Sequence, residues 1–322
     1  MVNKNNLYRR YSDYLKERYG EKVYKLPINL PITCPNREGV AGCGGCTFCG
    51  EKGAGFENLS NQISVRDQIS KNKEYIGKKY NANKFIVYFQ NFSNTYMPLE
   101  DFETVIEEAI IKDVVQIAIS TRPDCIRDEY LEFLKQMQDE KGIDIAIELG
   151  LQTTNYHSLY KINRGHTLGE FIDAVLRIKK YGFEICTHLI LNLPWDNDRD
   201  VVESAKVLSA LSIEQVKLHS LYIIENTKMG RQFKNKEFDM ISVQEYKKRV
   251  INFLEHLDSN IVVQRLIGRA PKENTLFVNW NMSWWKIRDE IEEEMIKRGK
   301  YQGRLCNYLN GRAVKHFFND KE

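Results

Sequence analysis

Two rhythms of apolar residues alternate along this chain. Short, nearly continuous runs such as 85–89 (FIVYF) and 114–119 (VVQIAI) read as strands buried on both faces. Between them lie stretches with apolar residues at three- and four-residue steps, the spacing of amphipathic helices. Phe102, Val105, Ile106, Ala109 and Ile110 form one such stripe, and Leu168, Phe171, Ile172, Val175 and Leu176 form another. The pattern predicts a polar helical arm over the first 20 residues, with Leu7, Tyr11, Tyr14 and Leu15 on one face. Strands are predicted over 23–32, 85–89, 114–119, 143–149, 185–193 and 215–221. Further helices are predicted over 63–79, 129–139, 201–211 and 243–257. Beyond residue 261 the alternation becomes irregular, which predicts an appendage.

Six strands separated by helices predict parallel βα units that curl in one direction, an α/β fold of partial (β/α)6, TIM-like form. The expected organisation is an N-terminal helical arm (1–22), a barrel (23–258) and a C-terminal appendage (259–322). In such folds the working residues sit on loops after the strands' C-terminal ends. Here those ends carry a cysteine loop, the polar stretch 90–96, Arg122, Glu148 with Gln152, Asn192, and His219. That shared placement predicts a single site.

Four of the seven cysteines lie in 34–49 (CPNREGVAGCGGCTFC): Cys34, Cys43, Cys46 and Cys49. An odd total, no visible signal peptide and a chain too long to need staples argue against a disulfide framework. Soft thiolates leave zinc or an iron–sulfur cluster as occupants. All four sulfurs would close a site, whereas three would leave one iron of a [4Fe–4S] cube open. Cys34/Cys46/Cys49 and Cys43/Cys46/Cys49 are both possible triples.

Composition narrows this little. Apolar residues at 42% allow a real core, and a net charge of +3 does not imply nucleic acid. The charge is uneven, however. From 295 to 319 there are six basic residues and no acidic one, interleaved with Tyr301, Tyr308, Phe317 and Phe318, and the arm from Lys4 to Lys25 is also basic. Basic stretches with aromatics suit phosphate contacts and base stacking, although solvated termini look the same. No apolar run reaches the roughly 20 residues of a membrane span. A soluble protein of the reducing cytoplasm is expected.

The cysteine loop directly after the first strand of a βα array resembles that of the radical S-adenosylmethionine (SAM) enzymes. The likeness extends to Thr33-Cys34-Pro35-Asn36-Arg37, Gly44-Gly45-Cys46-Thr47-Phe48-Cys49, Thr121-Arg122-Pro123-Asp124-Cys125 and Glu148-Leu149-Gly150-Leu151-Gln152-Thr153. It continues through Asn163-Arg164-Gly165-His166, His188-Leu189-Ile190 and Lys217-Leu218-His219. Together these resemble the bacterial subgroup related to the elongator catalytic subunit but lacking its acetyltransferase domain.

The resemblance implies a [4Fe–4S] cluster on Cys34, Cys46 and Cys49, with Cys43 a spare. It implies SAM contacts from Glu148 and Gln152 to ribose and methionyl groups, from Arg164 to the carboxylate, and from Asn94 and Thr95 near the amino group. His188 and His219 are candidate substrate or SAM contacts, and Arg122 with Asp124 an internal ion pair. Asn192 and Trp195 depart from the family's usual glycine-containing segment near the adenine. Cys125, Cys186 and Cys306 read as small hydrophobes, and Trp280, Trp284 and Trp285 as packing for the appendage.

The implied activity is reductive SAM cleavage to a 5′-deoxyadenosyl radical. It would serve a transferase-type modification of the tRNA wobble uridine, taking a carboxymethylaminomethyl side chain toward aminomethyl. Expected partners are SAM, tRNA and a reductant such as flavodoxin or ferredoxin, with no membrane. Alternatives are a radical enzyme for a small molecule or protein, and a non-catalytic metal protein that stabilises a partner.

Overall fold

The apolar runs become strands whose ends are set by side chains that take over the backbone. The computed structural model describes residues 7–50, 53, 58–269 and 274–317; Lys4 and Phe318 of the basic termini lie outside them. Helix α1 (Tyr11–Tyr19) leads into β1 (Val23–Ile28), the single turn α2 (Pro35–Glu38) in the cysteine loop, and α3 (Val65–Tyr80). Four βα units follow. They are β2 (Lys84–Phe89) with α4 (Leu99–Glu108), β3 (Val114–Thr121) with α5 (Asp128–Lys141), β4 (Asp144–Gln152) with α6 (Tyr156–Lys161) and α7 (Leu168–Lys180), and β5 (Glu184–Ile190) with α8 (Asp198–Ala210). The chain ends with β6 (Gln215–His219), β7 (Ile223–Ile224), α9 (Lys228–Lys234), α10 (Val243–His256), β8 (Val262–Arg265), β9 (Thr275–Phe277) and α11 (Trp284–Lys297).

Strand β1 stops four residues before the predicted 32. Gln68 accepts from the Asn29 N–H and donates to its carbonyl, both at 2.9 Å, which removes Asn29 from the ladder. Helix α7 is fixed by a capping box, Thr167 with Glu170. Its buried stripe is Phe171, Ala174, Val175 and Ile178; Leu176, expected on that face, is exposed. Leu176 lies five residues from Phe171, which is about 140° around a helix of 3.6 residues per turn.

All neighbours in the main sheet are parallel, in the order β1-β2-β3-β4-β5-β6-β8. The six predicted strands are present, and β8 adds a seventh from the stretch expected beyond the barrel. Four residues give too little alternation to be seen in a sequence. Laid flat, seven strands would span roughly 29 Å from first to last. Yet Lys25 of β1 donates to Gln264 of β8 at 3.0 Å, so the sheet is curled until its edges meet through side chains.

Helix α1 closes the bottom of this half-barrel. Asp144 and Glu184 open β4 and β5, and Arg18 bonds both, at 2.9 and 2.6 Å. Tyr14 donates to Glu184 and Tyr19 to Asp144. At the other side Trp280 packs on Tyr246 and Phe277 and donates to the Ile241 carbonyl at 2.7 Å. Trp284 is partly buried against the core, while Trp285 is exposed. No helix among the described residues is long and apolar enough to cross a membrane.

Candidate active site

The cysteine loop is docked by amide side chains. Cys34 caps the turn α2, whose Pro35 is suited to a first helical position. Asn36, fully buried, donates to the carbonyls of Asn163 and Arg164 at 2.6 and 3.3 Å. Asn163 returns the contact, donating to the carbonyls of Cys43 and Gly45 at 2.8 and 2.7 Å. Gly165 completes the seam: its φ is 76°, and a Cβ there would stand 2.3 Å from the Ala41 carbonyl oxygen.

This docking turns Cys34, Cys46 and Cys49 into one cavity of about 930 Å³, while Cys43 is exposed and does not line it. Each of the three sulfurs has its own arginine. Arg122 Nη1 lies 4.0 Å from Cys34 Sγ, Arg164 Nη1 3.4 Å from Cys46 Sγ, and Arg37 Nη2 3.7 Å from Cys49 Sγ. Burial and the neighbouring Cys46 push the Cys49 thiol up, and Arg37 opposes them. Arg122 donates two bonds to the Asp124 carboxylate, at 2.8 and 2.7 Å, and a third to the Arg164 carbonyl. Three thiols with cationic N–H donors, facing a cavity, suit an anionic thiolate-bound cluster with one position left for a small molecule. A closed four-sulfur zinc site would need Cys43 turned inward.

Farther inside, Glu148 is bonded by two lysines, a histidine and the Ser120 hydroxyl. Lys25 and Lys217 each approach it at 2.5 Å and His188 Nε2 at 2.7 Å. The ammoniums beside it hold its carboxyl well below the usual range against the opposing effect of burial. Burial and Lys217 lower His188 to about 4, so its ring is neutral at pH 7. Ligand atoms of Glu148, Cys186 and His188 lie within 4.8 Å of one another. Two ammoniums already hold Glu148, however, and burial pushes the Cys186 thiol up to about 12, so the group is a charge network rather than a metal site. His219 packs 5.1 Å from His188, and Arg265 donates to its Nδ1 at 2.7 Å.

Gln152 ends β4 with φ 77°, a strained backbone for glutamine, and lines the cavity beside Arg164. Arg164 spends Nη2 on the Gly150 carbonyl at 2.7 Å, and its buried Nε has no partner. Asn94 and Thr95 stand behind the wall. Asn94 donates to the carbonyls of Phe89, Asn91 and Ser120, and Thr95 bonds Thr121 and the Cys125 carbonyl, so both staple the loop. Their neighbour Ser93 lines the cavity instead, with a buried hydroxyl that has no partner. Asn192 is also structural, accepting from the Leu221 N–H at 2.6 Å, and Trp195 packs on Phe238.

Pattern reading gave no role to Lys25, Arg265 and Ser93, and quoted Arg37 and Lys217 only within motifs. The signal was available for the lysines: each interrupts an apolar strand (VYKLPI, QVKLH). The basic termini, by contrast, are partly neutralised. Arg10 pairs with Glu292, Lys300 and Arg304 with Glu255, and Arg298 with Glu294.

Three thiols at the mouth of a parallel half-barrel, with polar strand ends around them, define an enzyme of the radical SAM type. Residues 34–208 match the Radical SAM superfamily and residues 213–297 the Radical_SAM C-terminal domain, and the chain belongs to this superfamily. Membership brings both cofactors, SAM and a [4Fe–4S] cluster. The chain is 34% identical to "Uncharacterized protein MJ0486" of Methanocaldococcus jannaschii, over 92% of each chain. It is 31% identical to "Uncharacterized protein YtqA" of Bacillus subtilis, again over 92% of each. Among solved structures, the archaeal Methanocaldococcus infernus Elp3 shares the fold with a TM-score of 0.66 at 16% identity. That match covers 87% of this chain and 64% of that one.

Proposed function

We propose that Cys34, Cys46 and Cys49 hold the cluster, that SAM binds against Arg164 and Gln152, and that the substrate is the wobble uridine of tRNA. The observation that carries the cofactor assignment is the triple of sulfurs facing one cavity, each with an arginine, and Cys43 outside it. With both groups bound, the site would supply one-electron chemistry able to remove a hydrogen atom from a substrate. The chain's own task is to position and to exclude water.

Arg164 presents a guanidinium already oriented by Cys46 and Gly150, suited to a carboxylate. The partnerless Ser93 hydroxyl and the Gln152 amide add polar contacts for the methionyl and ribose groups. His188, neutral and tied to Glu148, acts as a hydrogen-bonding group rather than an acid. Helix α1 covers the lower end, where Tyr11 and Leu15 line the cavity. At about 930 Å³ the cavity is at the upper end of cofactor sites, with room for SAM and part of a substrate.

The tRNA reading is supported by the elongator-like motifs at the strand ends and by exposed Arg312, Lys315 and Phe317 near the C-terminus. A flavodoxin- or ferredoxin-type reductant completes the scheme. A small anionic substrate is the second reading, favoured by the internal pairing of Arg10, Arg298, Lys300 and Arg304. Anaerobic reconstitution with SAM and dithionite should yield 5′-deoxyadenosine. Mass spectrometry of tRNA nucleosides from a strain lacking the protein should show a changed wobble-uridine profile; an unchanged profile removes the tRNA substrate.

A further inference from the structure

The cavity carries more positive charge than the cofactor assignment uses. Glu148 is the only acidic side chain among its described lining residues, against eleven lysines and arginines. Some of these have carboxylates behind them: Arg122 has Asp124, Arg10 has Glu292 and Arg288 has Asp289. Three others do not share in this. Lys25 and Lys217 divide the single carboxylate of Glu148, and Arg265 spends its bond on His219.

These three cations come from β1, β6 and β8, at the seam where the sheet closes. Lys217 is in register with Arg265, and Lys25 is bonded to Gln264 beside it. Lys25 stands three residues before the end of β1, roughly 10 Å below that end. Each has donors to spare. An ammonium has three N–H groups; Lys25 uses two, on Glu148 and Gln264, and Lys217 two, on Glu148 and the Tyr88 hydroxyl. The Nε of Arg265 is buried without a partner. Lys217 is buried and Lys25 and Arg265 are half-buried, and cations drawn out of water in excess of their anions are costly unless a counter-charge arrives.

We propose that Lys25, Lys217 and Arg265 form a subsite in the lower chamber for an anionic group, a carboxylate or a phosphate, carried by the substrate. The subsite holds that group on the far side of the chamber from the cysteines, so that the bonds next to it face the radical. The inference rests on the preceding reading only in placing substrate and SAM in one cavity; it does not need the substrate to be RNA.

The test is calorimetric titration of the holoenzyme, reconstituted with cluster and SAM, using malonate, inorganic phosphate and neutral malonamide. One anion should bind saturably and malonamide should not. Stronger malonate binding assigns a carboxylate substrate, and stronger phosphate binding a phosphorylated one. Arg265→Met and Lys217→Met should each weaken the anion about tenfold or more, as expected for a lost hydrogen bond to a charged group. Equal binding of malonate and malonamide, no saturable anion binding by the wild type, or a folded Arg265→Met that titrates like the wild type would overturn the subsite. Should the variants not fold, the wild-type comparison of malonate with malonamide decides alone. A failed tRNA assay leaves this readout unchanged.

Discussion

Arg164 places one guanidinium nitrogen 3.4 Å from Sγ of Cys46 and the other 2.7 Å from the Gly150 carbonyl, so one side chain ties the cysteine loop to the end of β4. Its remaining Nε is buried and partnerless. Arg164→Ala and Arg164→Lys should both weaken SAM binding about tenfold or more, since each loses a bond to a charged group. Lysine should not rescue, because a point charge cannot reproduce a planar fork. Equilibrium dialysis of the reconstituted protein with SAM measures this. Wild-type affinity in Arg164→Lys would remove Arg164 from the cofactor site.

The four clustered cysteines separate by exposure. Cys43→Ser should retain the cluster's iron and its reduced-state paramagnetic signal, because Cys43 is exposed and does not line the cavity. Cys34→Ser, Cys46→Ser and Cys49→Ser should each lose most of the bound iron. Iron analysis after anaerobic reconstitution gives the answer. Equal loss in Cys43→Ser would demand a different ligand set.

His188 predicts an acid limb in stability. Burial and Lys217 lower its folded value to about 4, below the usual 6.5. The unfolded chain therefore takes up a proton first as pH falls. The stabilisation is complete above about 6.5 and is lost as pH drops toward 4, by about 3 kcal/mol at one pK unit per 1.36 kcal/mol. Burial also lowers His166 and His219, so His188→Gln should make that limb shallower by the His188 share and leave theirs, in urea unfolding measured between pH 4 and 7. An unchanged slope would mean that His188 is not the titrating group.

The sequence revealed the fold better than the interior of the site. Strand runs such as FIVYF and helical stripes such as Phe102 to Ile110 report burial directly, because apolar spacing is what burial selects. The cysteine spacing likewise reports soft-ligand chemistry. Lys25 and Lys217 stand out as lysines inside apolar strands, but the sequence does not say what they meet. Only the curled sheet, which brings β1, β4, β6 and β8 side chains together, makes them partners. Asn94 and Ser93 show the same limit at a finer scale. Both follow β2, but which of them faces the cavity depends on a loop conformation that polar composition does not encode.

The docking seam under the cysteine loop gives the last prediction. Gly165 and Gly182 have nearly the same left-handed backbone, with φ 76° and 74°. An added Cβ at Gly182 meets nothing within 4 Å, whereas at Gly165 it meets the Ala41 carbonyl oxygen at 2.3 Å. Gly182→Ala should therefore cost only the left-handed penalty, about 1–2 kcal/mol. Gly165→Ala carries the same penalty and also pushes the loop away from Asn163, which holds the Cys43 and Gly45 carbonyls. Both variants should melt earlier, but only Gly165→Ala should also lose cluster iron. Thermal unfolding paired with iron analysis separates the two effects. Full iron occupancy in a folded Gly165→Ala would show that the loop keeps its ligands in place without this seam.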